Sequence, residues 1–214
     1  MSFYSPSDSK FTRHYREEVE MAFSAIDCVL HRDHVIYASS EISSGFRLFA
    51  TLRDQGLKNA DELKQKMGEA WYESTIVGRN TKAAVLFTES IRSRLTDRTM
   101  VVTPAPFQAP GWTQPEYLAF WEELLRTRIK SVWFNQNWQF SNGCTFEFAV
   151  ALDARLPTLD HAGKSLSQEE GIDLIRRAIQ ELDRDGFDTG KLRQNLALAK
   201  REPAPYTAGE ATSG

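Results

Sequence analysis

Strand-like runs alternate with helical stretches along this chain. That alternation predicts an α/β fold: a single-domain Rossmann-like or flavodoxin-like parallel sheet of about five strands, flanked by helices and carrying a helical insertion. Three runs carry the expectation: His34-Val-Ile-Tyr-Ala-Ser39, Met100-Val-Val-Thr103 and Val132-Trp-Phe134. Each is short and dominated by apolar, β-branched or aromatic residues, as strands of a covered parallel sheet are. A polar or Pro/Gly-containing turn and then a helical pattern follow each of them.

Residues 1–9 are polar and read as a flexible N-terminus. Residues 10–30 read as an amphipathic helix, with Phe11, Tyr15, Val19, Ala22, Phe23 and Ile26 on one face. The first strand runs to Ser39 and ends in a small-residue turn, Ser40–Gly45. Phe46 to Gln55 is helical, and Gly56 is placed to end that helix as a left-handed C-cap. Residues 60–76 and 83–95 read as helices, so that 57–98 forms an insertion, or a lid, between the first two strands. Pro104 and Pro106 stop the second strand. Pro115 opens a helix to about Ile129, because proline is preorganised for a first turn. A helix bearing Glu147 runs to about Asp153, and Leu156–Leu159 is a short strand. Ser165–Glu170 resembles a helix start, with the helix continuing to about Asp185, and 191–201 is a last helix. Residues 202–214 are rich in Pro, Ala, Thr and Gly and read as a disordered tail. The α/β domain therefore spans 10–201.

Bulk properties exclude several classes. Of 214 residues, 41% are hydrophobic, and the net charge is −3. Lys and Arg are scattered, so no basic stripe marks a nucleic-acid polymer as partner. No run approaches the ~20 apolar residues of a membrane span, and the N-terminus has no secretory pattern. Two cysteines far apart, Cys28 and Cys144, fit a reduced, cytoplasmic protein. His31-Arg-Asp-His34 has two histidines, but the step into a strand spoils ligand spacing, and no metal or cofactor is expected.

Two segments carry chemistry. Ser141-Asn-Gly-Cys-Thr-Phe-Glu147 follows the third strand and opens an apolar helix, which places Glu147 in the helix's first turn beside free N–H groups. There it reads as a nucleophile or electrostatic stabiliser, or more plainly as a capping carboxylate. Tyr37-Ala-Ser-Ser-Glu-Ile-Ser-Ser-Gly45 places hydroxyls and a glycine at another helix start, with Arg47 just inside it. That arrangement suits a phosphate or sugar hydroxyl, or is simply a serine-rich cap. Both segments follow parallel strands and are expected on one sheet edge.

These two segments resemble the nucleoside 2-deoxyribosyltransferase-like family, which includes 2′-deoxynucleoside 5′-phosphate N-hydrolases and CMP N-glycosidases. Its members carry a strand ending in Tyr or Phe before a small-residue turn. Later they carry Asp or Ser, a Gly two residues on, and a catalytic Glu four beyond that; here these are Ser141, Gly143 and Glu147. The resemblance covers roughly residues 34–160. It implies Glu147, Ser141 and Tyr37 as catalytic residues, and Ser39, Ser40, Ile42, Ser43, Ser44, Gly45, Arg47, Asn142 and Gly143 as substrate-binding. It implies hydrolysis of the base–sugar bond of a nucleotide or nucleoside, with deoxyribosyl transfer or cleavage of an NAD-like dinucleotide as alternatives. Serine at 141 leans toward the monophosphate hydrolases, whereas Glu41 lies near the expected phosphate and would repel it. The resemblance further implies a homodimer or larger oligomer.

Some assignments stay open. A catalytically idle nucleotide-binding or sensor protein is the competing class. Asp160, Glu41 and Glu89 are the candidates for the acid that protonates the leaving base. Trp112, Trp133, Trp138, Phe107 and Phe140 are candidates to stack it, or are core. His161 reads as a loop histidine and Cys144 as packing.

Overall fold

The computed structural model describes residues 3, 11–29, 34–95 and 99–201. Apart from Phe3, the expected flexible N-terminus lies outside these residues, as do His31 and the tail from 202.

The sheet is parallel throughout, with the spatial order β2–β1–β3–β4. Its strands are β1 (His34–Ser39), β2 (Thr99–Val102), β3 (Ser131–Phe134) and β4 (Thr158–Leu159). The described residues thus hold four strands, not the expected five or so, and β4 is only two residues long. The chain leaves β1 for β2 on one side and returns across to β3 on the other. In such open sheets the crevice between β1 and β3, at their C-terminal ends, is where ligands bind. All of β3 and every β1 residue after His34 are buried, as the near-continuous apolar runs anticipate.

Alternation along β1 divides the core. Val35 and Tyr37 face a large core, together with Val132 and Phe134 of β3. Ile36 and Ala38 face a smaller cluster with Val101, Trp133, Phe87 and Ile91. The large core is closed by α1 (Arg13–Val29), α2 (Phe46–Gln55), α6 (Gln114–Arg128), α7 (Asn142–Asp153), α8 (Gln168–Arg184) and α9 (Gly190–Ala199). Phe11, Tyr15, Val19 and Phe23 form the buried stripe expected of the first helix. Arg126 ties α6 to α7, reaching the fully buried Glu122 at 2.9 Å and Asp153 at 2.7 Å.

Helix ends follow local chemistry. Gly56 adopts φ 65° and ends α2, with Leu57 N–H donating to Leu52 O at 2.9 Å. Ser167 caps α8, and Glu170 Oε2 accepts from the Ser167 N–H at 2.9 Å. The insertion departs from expectation. Gly68, at φ 91°, interrupts the supposed single helix 60–76 after α3 (Ala60–Met67). Beyond it, α4 (Glu69–Tyr72), a π-helical stretch Glu73–Val77 and α5 (Gly78–Arg92) run on without a break, so helix begins well before residue 83. Past β4 the chain turns back at Asp160, whose Oδ1 accepts from Ala162 and Lys164 N–H, both at 2.9 Å. Leu159 and Ser165 then form an isolated antiparallel bridge. Among the described residues, no helix is long and apolar enough to cross a membrane.

Gly171 sits where α8 crosses α7, and a Cβ there would fall 2.1 Å from the ring of the fully buried Phe148. Gly171→Ala is expected to destabilise the protein by about 1–3 kcal/mol despite alanine's better helix propensity. Urea unfolding that shows a stabilised variant would contradict this packing.

Candidate functional site

Tyr37 and Ser39 are two residues apart on β1 and so point to the same face. Both reach Glu147. Tyr37 OH donates to Oε1 at 2.7 Å and Ser39 Oγ donates to Oε2 at 2.5 Å. The carboxylate is 5% exposed. Among the described residues it has no ion-pair partner.

This geometry corrects the expected placement. Ser141 is the N-cap of α7, so Glu147 falls in the second turn rather than the first. It caps nothing, and its recorded partners are side-chain hydroxyls rather than helix N–H groups. The plainer capping interpretation is thereby removed. Ser141 does not hold Glu147 either. Its Oγ accepts from Cys144 N–H at 3.4 Å and lies 3.4 Å from Ser44 Oγ. Ser39, expected among the substrate-binding residues, is instead committed to the carboxylate.

Burial raises the Glu147 pKa from 4.5 to about 7, against the pull of the two hydroxyl donors. Burial and the neighbouring carboxylate push Tyr37 well above its ordinary value, so it remains a phenol and a donor. Cys144 is buried and its thiol is also pushed up, which suits packing rather than nucleophilic chemistry.

The Ser40–Gly45 turn meets α7 at the same sheet edge, since Ser44 Oγ also accepts from Asn142 N–H at 3.3 Å. The turn is held from behind by the insertion. Tyr72 OH donates to Ser43 O at 2.6 Å, and Asn80 Nδ2 donates to Ile42 O at 2.9 Å. Arg47 Nε donates to Asn80 Oδ1 at 2.9 Å, so this group braces the turn. The segment 57–95 thus holds the turn through Tyr72 and Asn80. On the other side, Asn195 of α9 donates to Asn142 O and Thr145 Oγ1, both at 2.9 Å, fixing the first turn of α7. Tyr72, Asn80 and Asn195 were not singled out from sequence, because nothing local marks a polar residue whose partner lies tens of positions away. Gly143 is half-buried on α7's first turn.

The remaining candidates separate. Asp160 caps its own loop, and Glu89 is exposed on α5. Of the three proposed acids, only Glu41 belongs to this turn. Trp112 and Phe107 pack with Phe120, and Trp112 Nε1 donates to Glu18. Trp133 lies in the smaller cluster, and Trp138 packs on Phe134 and Phe148. Phe140 packs edge-on against Phe46, the first residue of α2, which is 39% exposed. His161 lines a different feature, a cavity of about 450 Å³ between Phe134–Gln139 and the Asp160–Arg177 region. Asp160 and Trp138, candidates for the acid and for stacking, line it, but none of the expected catalytic or substrate-binding residues does. Its charged groups are largely matched: Arg177 pairs with Asp173, and Lys164 lies 4.0 Å from Glu170. The Glu147 cluster, a buried carboxyl with no ion-pair partner among the described residues, is the stronger candidate.

Compared with known families, curated proteins and solved structures, the chain finds no match. Support for any function therefore comes from the residues and their arrangement.

The Glu147 pKa has a stability consequence. Between pH 4.5 and about 7 the unfolded chain has released this proton while the folded chain retains it. Stability from this group is thus complete below 4.5 and declines as pH rises through about 7. Glu147→Gln is expected to be more stable than the native chain at about pH 8, by on the order of 3 kcal/mol, and nearly equal at about pH 4. Denaturant titrations at the two pH values check this; a variant destabilised equally at both would contradict it.

Proposed function

We propose that this protein is an N-glycosidase that cleaves the base–sugar bond of a nucleoside or nucleotide, with Glu147 as nucleophile or as electrostatic stabiliser of an oxocarbenium-like sugar. One observation carries the reading: a buried carboxylate with no cation partner among the described residues, held by two hydroxyl donors near the C-terminal end of β1. Such a group costs stability, and strongly perturbed carboxyls in crevices are characteristic of working sites. The two-motif resemblance supports the same assignment.

In this mechanism Glu147 attacks the anomeric carbon as the carbon–nitrogen bond breaks, and the base leaves carrying a proton from solvent. Water then hydrolyses the glycosyl ester, restoring the carboxylate and releasing the free sugar. Tyr37 and Ser39 hold both oxygens in place and favour the ionised form. Deoxyribosyl transfer uses the same intermediate with a second base in place of water.

The competing class, a non-catalytic nucleotide-binding protein, is favoured by the low exposure of Glu147. Base release separates the two. Chromatography after incubation with a panel of nucleosides and nucleotides is expected to show free base from at least one. Glu147→Gln is expected to reduce that turnover by several orders of magnitude while substrate binding persists. Ser141→Ala is expected to cost on the order of ten- to a hundredfold. Turnover is expected to rise through about pH 7 as Glu147 ionises, and Tyr37→Phe, which removes a donor to the carboxylate, should move that rise upward. Near-native turnover in Glu147→Gln would defeat the proposal.

A homodimer belongs to the same proposal, with Val85 and Leu86 of α5 among the exposed apolar side chains available to it. Light scattering at micromolar concentration is expected to give twice the chain mass or more, and a strict monomer would count against it.

A further inference from the structure

The N-terminus of α2 is already occupied by an anion that belongs to the chain. Glu41 Oε2 accepts the Phe46 N–H at 2.7 Å, and the Arg47 N–H also bonds to this carboxylate. These are the first two N–H groups of α2, the donors that a helix start offers to a bound anion. Gly45 makes the arrangement possible. It adopts φ 122°, a conformation that side chains disfavour, and a Cβ there would lie 2.0 Å from Glu41 Oε2. The carboxylate folds back over the bare glycine and fills the space at the helix start.

The second helix start at this edge also has two of its first donors taken within the chain. At α7, Ser44 Oγ accepts from Asn142 N–H and Ser141 Oγ accepts from Cys144 N–H. Arg47 Nε is bonded to Asn80. Between Ser39 and Glu41 sits Ser40, whose hydroxyl is buried and, among the described residues, has no hydrogen-bond partner. Buried hydroxyls are seldom left unmatched, so Ser40, next to Glu41 in the turn, is a group that a bound molecule could match. The turn thus presents one unmatched hydroxyl and the Glu41 carboxylate, groups that suit a sugar hydroxyl better than a phosphate. The first two N–H donors of α2, which would meet a phosphate there, are already taken by Glu41.

We propose that Glu41 sets the substrate class: its carboxylate takes the position of a phosphate at the α2 N-terminus, and the site accepts an N-glycoside whose sugar carries free hydroxyls and no phosphate. The proposal rests on the N-glycosidase reading for the word substrate, but the occupancy of the helix start can be measured without any turnover.

The experiment compares the native chain with Glu41→Ser and Glu41→Ala. Thermal unfolding is followed with inorganic phosphate and with ribose 5-phosphate, and base release is measured from nucleosides and from the matching 5′-monophosphates. Loss of a cap costs only about 1 kcal/mol, so both variants should fold. Native protein is expected to gain no thermal stability from either phosphate compound. Each variant is expected to bind them at least roughly tenfold more tightly, since the two N–H donors become free for a charged acceptor. The kcat/KM preference for nucleosides over monophosphates should fall on the order of ten- to a hundredfold in the variants. Native protein that binds phosphate as tightly as the variants, or variants that gain nothing, would overturn the proposal. If no substrate releases base, the enzymatic reading fails by itself, and the phosphate-binding comparison still decides the role of Glu41.

Discussion

A carboxylate out of water without a cation beside it is costly unless its oxygens find donors. In this protein the donors are two hydroxyls on one face of the central strand, Tyr37 and Ser39, and they meet the two oxygens of Glu147 separately. Much of the surrounding structure is what such a contact requires. Strand β1 lies between two others, which fixes its face. Helix α7 is pinned at its start by Asn195 and at its end by the Arg126–Asp153 pair, which sets the position of Glu147 along the helix. The phenol of Tyr37 is itself inside the core. A shift of α7 by one residue would rotate Glu147 about 100° away from the strand.

The turn after β1 shows the same economy of donors. Its carbonyls at Ile42 and Ser43 are met by Asn80 and Tyr72 from the insertion, and its serine at 44 meets the start of α7. The insertion and the site are therefore one mechanical unit. The π-helical stretch lies between Tyr72 and Asn80. It widens the helix locally, and such bulges often accompany functional sites because they re-aim the side chains on either side.

Much of the fold was legible in the sequence, for identifiable reasons. Residues 34–39 stand out because a buried parallel strand is apolar on both faces, and Gly56 stands out because a left-handed C-cap favours glycine. The pairing of the Ser40–Gly45 turn with the Ser141–Glu147 segment followed from their common position after parallel strands. What escaped was geometry set by tertiary contacts. Ser141 capping shifts α7's start and carries Glu147 into the second turn, a difference that periodicity does not resolve in so apolar a helix. Gly68 reads as a tolerable interior glycine until its backbone is seen to leave the helix. Strand β4 falls inside the expected 156–159 run, but only Thr158 and Leu159 of that run form it, a bound set by pairing with β3. Tyr72, Asn80 and Asn195 carry no local signature, because their partners are chosen by the fold, which also turns Arg47 toward Asn80.

The two ends of the sheet bear on how the protein behaves in company with itself. An open parallel sheet presents unpaired backbone groups along its outer strands, and these can template pairing with a neighbouring molecule. On one side, the Asp160 turn folds the chain back so that Ser165 bridges to Leu159 in the antiparallel sense, blunting β4 just where it is shortest. On the other, Arg92 Nη2 donates to the Val101 carbonyl at 3.1 Å and sets a cationic side chain against the border strand. Brevity, a returning loop and a border charge are devices that discourage strand addition. They make end-to-end growth of this sheet into a larger aggregate a poor competitor of the folded chain.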